Sequence, residues 1–316
     1  MIKKVNKPKA LKKGDTIGVV SPASKPGNEE KYFKGIKYLE AEGYSVKLGR
    51  HNLSIHGYLA GDDDARVADL NDMFADPEVK AIICSRGGYG VPRILHRLDY
   101  ELIRKNPKIF VGYSDITALN MGLLAKAGLV TFSGPMVAVE MGQGINSYSE
   151  KSLWNSLTNT NGSIELKNPE NKRLKIIKEG KAEGRLIAGC LSVFSAILGG
   201  SYVPDLEGAI LVVEDVGEVP YRLDRYFAQL RLNGILDKIC GLILGQFIDC
   251  VPDEDDTASL TTEEVIEDYT QDLRIPVIAQ FAYGHGSVKL TLPVGVRAEM
   301  DTAEPIVRIL ENPVNP

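Results

Sequence analysis

The chain has 316 residues, 44% hydrophobic and 25% charged, and 37 Lys and Arg against 42 Asp and Glu leave a net charge of −5. That length suits two domains with a core each, and the composition is that of a soluble globular protein. Without a basic block there is no electrostatic footprint for nucleic acid, and no apolar run approaches the ~18 residues of a membrane span.

The start, "MIKKVNKPKALKKGD", is basic but lacks the apolar stretch of a secretory signal. "TIGVVSPAS" (16–24) then reads as a buried strand stopped by Pro22. "NEEKYFKGIKYLEAEG" is a helix with Tyr32, Ile36 and Leu39 on one face and Gly43 as its stop. The short strand "YSVKLG" precedes the helix "DDDARVADLNDMF", whose acidic start suits a helix N-terminus. Next come the strand "VKAIICS", the loop "RGGYG", a helical stretch near Leu95 to Arg104, the strand "KIFVG", a helix from about Ile116 and the strand "LVTFS". Strands alternating with helical patterns predict βαβ units and a parallel sheet, with ligands at the carboxyl ends of its strands.

Residues 143–183 are polar, with "NTNGS" and "KNPENKR" as turns, and read as a connection. The N-terminal domain is accordingly placed at 1–165, a linker at 166–183 and a C-terminal domain at 184–316. That last domain opens with "GRLIAGCLSVFSAILGG", an apolar helix-like run. "GAILVVEDVGE" is a strand that breaks at Glu214 and Asp215. "PYRLDRYFAQLRLNG" is a helix from Pro220 to the stop at Asn233-Gly234. "ICGLILGQF" is a strand, "DCVPDEDD" an acidic surface loop, and "TTEEVIEDYTQDL" a helix opened by a Thr261–Glu264 capping box. "IPVIAQFAYGHGS" and "VKLTLPVGVRAEM" close the chain as strands and turns. Cys84, Cys190, Cys240 and Cys250 form no CxxC pair, which points to a reducing cytoplasm rather than a disulfide framework.

Both "RGGYG" and "YSD" fall at the carboxyl edge of the predicted parallel sheet. Ser114 sits at a corner between the strand Ile109–Val111 and the helix from Ile116. It either caps that helix or is a nucleophile raised on a tight turn. A serine nucleophile needs a base, and there are four histidines. His51 and His56 lie five apart in a polar loop, and His96 lies on what reads as a solvated helix. His285 stands between two glycines just past an apolar strand. Glu214, at the end of a buried strand, needs a partner; that partner is His285, or Arg222 or Arg225 nearby. Scattered histidines and the absence of H-E-x-x-H give no metal site, and neither G-x-G-x-x-G after the first strand nor a P-loop lysine is present, so no cofactor is expected. Isoleucine at position 116 departs from G-x-S-x-G and argues against an ordinary α/β-hydrolase.

Five stretches in order carry a resemblance: "KKGDTIGVVSPAS", "RGGYG" at 86–90, "VGYSDITAL" at 111–119, "EDVGEVPYRLDR" at 214–225 and "YGHGSVKLTLPVG" at 283–295. Over nearly its whole length the chain resembles the L,D-carboxypeptidases of peptidase family S66. The resemblance implies an α/β fold: an N-terminal parallel-sheet domain like that of class I glutamine amidotransferases, with a smaller C-terminal α/β domain. It implies a triad of Ser114, His285 and Glu214 in a cytoplasmic enzyme, often a homodimer, that removes the terminal D-alanine of murein tetrapeptides. Where many relatives have Gly-Gly-Asn-Leu, this chain has Ala188-Gly189-Cys190-Leu191.

On that basis His285 relays the proton between Ser114 and the leaving amine, and Glu214 orients the imidazole. The oxyanion donors are the N–H of Asp115 and that of Gly88, with Gly87 the next choice. Arg86 is the candidate partner of the substrate carboxylate. Two rivals are a self-immunity hydrolase of peptidyl-nucleotides, which needs an aromatic ring to stack on the base, and a non-enzymatic binder of murein peptides. The one tryptophan, Trp154, falls in the connecting stretch.

Overall fold

The structure is a computed structural model that describes residues 5–255 and 258–316. Met1–Lys4 of the basic start and Asp256 of the acidic loop lie outside the described residues.

The first half alternates as its periodicity dictates: β1 (Thr16–Val20), α1 (Glu29–Ala41), β2 (Ser45–Leu48), α2 (Asp63–Ala75), β3 (Val79–Cys84), α3 (Val91–Ile94), α4 (Tyr100–Lys105), β4 (Ile109–Val111), α5 (Thr117–Ala127) and β5 (Thr131–Ser133). Asn28 caps α1 by accepting from the Lys31 N–H, and Asp62 caps α2 through the Ala65 N–H. The expected helix from Leu95 to Arg104 is split. A 3₁₀ turn covers Leu95–Arg97, Leu98 is extended, and α4 starts afresh because Asp99 accepts from the Leu102 N–H at 2.9 Å.

The second half holds α6 (Ser147–Thr158), β6 (Ile164–Leu166), β7 (Lys175–Lys178), β8 (Lys181–Cys190), α7 (Leu191–Ala196), β9 (Ala209–Val216), α8 (Pro220–Leu232), α9 (Ile235–Lys238), β10 (Gly241–Ile248), α10 (Thr262–Thr270), β11 (Val277–Ala279), β12 (Leu292–Val294), β13 (Arg297–Asp301) and β14 (Ile306–Ile309). The Thr261–Glu264 capping box is present. The apolar run from Gly184 is mainly a strand, with a helix only at 191–196. Leu186, Ile187 and Ala188 are all fully buried, so an unbroken apolar run is that of a strand covered on both faces. The polar stretch 143–183 is more ordered than a connection: Asn146 caps α6 at the Ser149 N–H, and β6 and β7 follow.

Two sheets result. The first has the order β12-β5-β4-β3-β1-β2, parallel except for β12, which returns from late in the chain to pair antiparallel with β5. The second has the order β6-β14-β13-β8-β9-β10-β11-β7, with a parallel block β8–β11 flanked by antiparallel strands. Buried apolar residues from both form one continuous core. Among the described residues no helix is long and apolar enough to cross a membrane.

Candidate active site

The chain leaves β4 through Gly112, whose carbonyl accepts from the Asn120 side chain at 2.9 Å. Ser114 then takes a φ of 65°, a left-handed conformation that a serine holds only when its surroundings impose it, at about 1–3 kcal/mol. It opens a 3₁₀ turn, Ser114–Ile116, that runs into α5, and no side chain caps either start. The hydroxyl of Ser114 is thus not used as a helix cap. The Asp115 carboxylate is not a cap either: it accepts from the Val91 N–H at 2.8 Å, pinning the glycine loop to the turn. Burial pushes this carboxyl up to about 6.

The "RGGYG" loop lies directly against that turn. A methyl group on Gly87 would fall 2.8 Å from Ser114 Cβ and 3.3 Å from the Asp115 nitrogen. Gly88 has a φ of 117°, and a methyl there would collide with Ser24. Buried Arg66 braces the loop by donating to the carbonyls of Pro22 (2.7 Å) and Gly90 (2.9 Å). Arg86 is half-buried, near Gly27, and has no hydrogen bond or ion pair with another described residue.

Glu214 lies at the carboxyl end of β9 and is fully buried. Its Oε2 accepts from His285 Nδ1 at 2.8 Å and from the His285 backbone N–H at 3.1 Å. Arg222 is engaged elsewhere, 3.6 Å from Glu218, and Arg225 packs on the Tyr221 ring. Gly284, at φ 117°, is obligatory: a methyl there would fall on the Glu214 carboxylate, 2.7 Å from its Cγ. Gly286 has no room either, since a methyl would lie 2.7 Å from Gln246 Cδ. With Nδ1–H donated to Glu214, the Nε2 lone pair of a neutral imidazole is left to accept a proton.

The two sheet edges interlock around these groups. The Cys190 N–H donates to Thr117 Oγ1 at 3.0 Å, joining the end of β8 to the start of α5. Tyr283 hydrogen-bonds Ser133 at 2.7 Å, and the Tyr113 ring meets the His285 imidazole edge-on at 5.0 Å. Ser114 therefore follows a residue in contact with the histidine. Among the described residues no hydrogen bond joins Ser114 Oγ to His285, and such contacts often tighten only around substrate.

Two family models match the chain: the LD-carboxypeptidase N-terminal domain over residues 17–134 and the LD-carboxypeptidase C-terminal domain over 183–300. The chain belongs to the LD-carboxypeptidase family, peptidase family S66. A probable murein peptide carboxypeptidase of Bacillus subtilis is 42% identical over 94% of this chain and 92% of the relative. The microcin C7 self-immunity protein of Escherichia coli is 30% identical over 94% of each. The solved wild-type apo structure of a microcin C7 self-immunity protein matches with a TM-score of 0.91 at 29% identity, covering 98% of this chain and 100% of that one. A muramoyltetrapeptide carboxypeptidase structure from Oxalobacter formigenes matches with a TM-score of 0.83 at 30% identity, covering 95% and 100%. As a member of a serine peptidase family the chain is an enzyme.

Among the described residues none of the other three histidines is hydrogen-bonded to Ser114, Glu214 or His285, and His56 is exposed in a turn bridged to Leu59. His51 Nδ1 lies 2.8 Å from Asp69, beyond β2, and His96 sits in the 3₁₀ turn after α3. No group of three or more His, Cys, Asp or Glu among the described residues is placed to hold a metal ion. Trp154 is on α6, not in a loose connection; it stacks on Tyr44 (5.1 Å) and donates to the Tyr38 hydroxyl at 2.9 Å. Cys190, where many family members have asparagine, is buried and hydrogen-bonded around Asp215, and burial holds its thiol well above the usual value. Tyr113, Glu140 and Lys289, which no sequence motif brings together, meet beside His285. Their separation in sequence leaves no local pattern by which to find them.

Proposed function

We propose that the chain hydrolyses the amide bond between an L-centre and the terminal D-alanine of murein tetrapeptides, a cytoplasmic step in peptidoglycan recycling, through Ser114, His285 and Glu214. The buried 2.8 Å contact between His285 Nδ1 and Glu214 carries this reading, because it leaves the opposite ring nitrogen as a base beside the strained Ser114 turn.

His285 takes the proton of Ser114 as Oγ attacks the carbonyl, and hands it to the D-alanine amine as the C–N bond breaks. Glu214 holds the tautomer and stabilises the imidazolium. The Asp115 N–H, in the first turn of a helix where amides lack intrahelical partners, and the N–H of Gly88 or its neighbour Gly87 receive the oxyanion. Arg86, half-buried and without a hydrogen bond or ion pair among the described residues, pairs with the D-alanine carboxylate. Water, activated by the same histidine, then releases the tripeptide from Ser114.

The likeness to the microcin self-immunity protein keeps peptidyl-nucleotide hydrolysis as a second reading. Trp154 gives it no support, since its ring is stacked within the fold. Mass spectrometry after incubation with tetrapeptides carrying lysine or diaminopimelate, and with a peptidyl-adenylate, separates the two. The tetrapeptides should lose one D-alanine. Cleavage of the peptidyl-adenylate alone would transfer the case to the second reading, and cleavage of neither would overturn both.

A further inference from the structure

Beneath the Ser114 turn lies a charged cluster that the proposed chemistry does not use. Lys289 is 2% exposed, and its ammonium is paired with Glu140 Oε1. The same oxygen accepts from the Tyr113 hydroxyl at 2.8 Å, while Glu140 Oε2 accepts from the Met136 N–H at 2.9 Å. The Lys289 ammonium also lies 4.0 Å from the centre of the Tyr113 ring. Tyr113 is therefore gripped at its hydroxyl and on its face, and its ring packs T-shaped against the His285 ring. Glu140 stands in a π-helical turn, Val137–Met141, a form concentrated at functional sites. The segment that carries Lys289 is itself clamped: Ser149 and Ser152 of α6 accept from the N–H groups of Lys289 and Thr291, both at 2.9 Å.

A buried ion pair is often no more stable than apolar packing of the same volume, so stability alone is a weak reason for one here. Its location suggests another. Tyr113 is the residue before Ser114, so a turn of its backbone moves the hydroxyl, and its ring is the wall against which the imidazole rests.

We propose that Glu140 and Lys289 are positioning residues, a buried latch that acts through Tyr113 to hold the Ser114 turn and the His285 ring in reacting geometry. The proposal rests on the reading of Ser114 and His285 as nucleophile and base. It has an electrostatic signature as well. The charged and titratable groups that face the imidazole and its partners are Glu214, bonded to it, Tyr113, packed on it with the Glu140–Lys289 pair behind and Arg86 in electrostatic reach, and Tyr283 and Cys190 beside Glu214. Lys289→Met leaves Glu140 unbalanced and favours the imidazolium. Glu140→Gln leaves Lys289 unbalanced and disfavours it. The acid limb of kcat/KM should then move up for the first and down for the second, by about half a pH unit or more.

The test is the kcat, KM and pH profile of D-alanine release for Lys289→Met, Glu140→Gln, the double variant, Lys289→Arg, Tyr113→Phe and Ser114→Ala, with circular dichroism as the folding control. Each charge variant should lose about 10²-fold in kcat with KM nearly unchanged, the scale of a small misplacement of reacting groups. Lys289→Arg should recover most of that loss, and the double variant should restore the acid limb but not kcat. Tyr113→Phe, which keeps the packing, should lose about tenfold in kcat and keeps the test open if the charge variants do not fold. Folded variants with kcat within about twofold of wild type, or acid limbs that move in the same direction, would overturn the latch. If Ser114→Ala kept its activity, the catalytic reading would fail and the latch with it; a fully inactive Ser114→Ala beside fully active latch variants would remove the latch alone.

Discussion

At the end of β4 the chain positions Ser114 by bending the backbone, whereas at the end of β9 and in the loop after β11 it positions Glu214 and His285 by burying a carboxylate among glycines. The first region is held by strain: a serine at φ 65°, pressed by Gly87 and braced by Asp115 and Arg66. The second is held by charge: a fully buried glutamate whose Oε2 takes both the ring and the backbone N–H of one histidine. Each region is therefore fragile to a different kind of change. A strained turn tolerates loss of its side chain, since the hydroxyl supports nothing. A buried carboxylate tolerates no intrusion, since its partner sits on the other side of a glycine with no space for a methyl group.

The largest expected effects lie in the side chains that would do the chemistry. Ser114→Ala and His285→Ala should each reduce kcat by roughly 10⁶-fold, the scale seen for serine triads, with Ser114→Ala remaining folded. Glu214→Gln should lose less, on the order of 10⁴-fold in single-turnover release of D-alanine, because it disturbs tautomer and charge without removing nucleophile or base.

A backbone change sharpens the contrast. Gly284→Ala combines an unfavourable φ with a collision on Glu214, so both activity and thermal stability should fall, the latter by on the order of 2 kcal/mol. An unchanged melting temperature with full activity would show that the carboxylate is not wedged there. Arg222→Ala should leave kcat within about twofold of wild type, since Arg222 faces Glu218 and not Glu214. A large loss would mean that Glu214 depends on a cation as well as on the histidine.

The turn at Ser114 also carries a pH dependence. Burial raises Asp115 to about 6, above the ordinary carboxyl value. The folded state therefore binds the proton more tightly than the unfolded chain, so this group's contribution to stability is greatest below the unfolded value and declines as pH rises through about 6. Asp115→Asn removes the titration while keeping an acceptor for the Val91 N–H. Its stability relative to wild type should improve by on the order of 1–3 kcal/mol between pH 4 and pH 8. A parallel pH dependence of the two melting curves would contradict the assignment.

Much of this arrangement was legible in the sequence because the pattern itself changes at the sites. At Ser114 an apolar run gives way to helical spacing across three small or polar residues, and at His285 a strand ends in glycine on either side. Glu214 was visible as a charge ending a buried strand, although Arg222 and Arg225 remained open as partners until the fold excluded them. The reading failed where burial erased periodicity: β8 is apolar on both faces, and its run continues into α7, so strand and helix look alike. It failed also at β6 and β7, three and four residues long, whose apolar pairs Ile164/Leu166 and Ile176/Ile177 are too short a signal within a polar stretch and gain strand form from neighbours in the sheet. Glu140 and Lys289 escaped because their pairing spans 149 residues and exists only once the two sheet edges meet.

In the proposed mechanism Ser114 and His285 act in one step. Single-turnover release of D-alanine by wild type, Ser114→Ala, His285→Ala and the double variant tests it most directly, with circular dichroism to establish folding. The double variant should be scarcely slower than either single one, since each alone already disables the same proton-coupled attack. Additive losses, or a well-folded Ser114→Ala retaining more than about a hundredth of wild-type activity against the roughly million-fold loss expected, would contradict it.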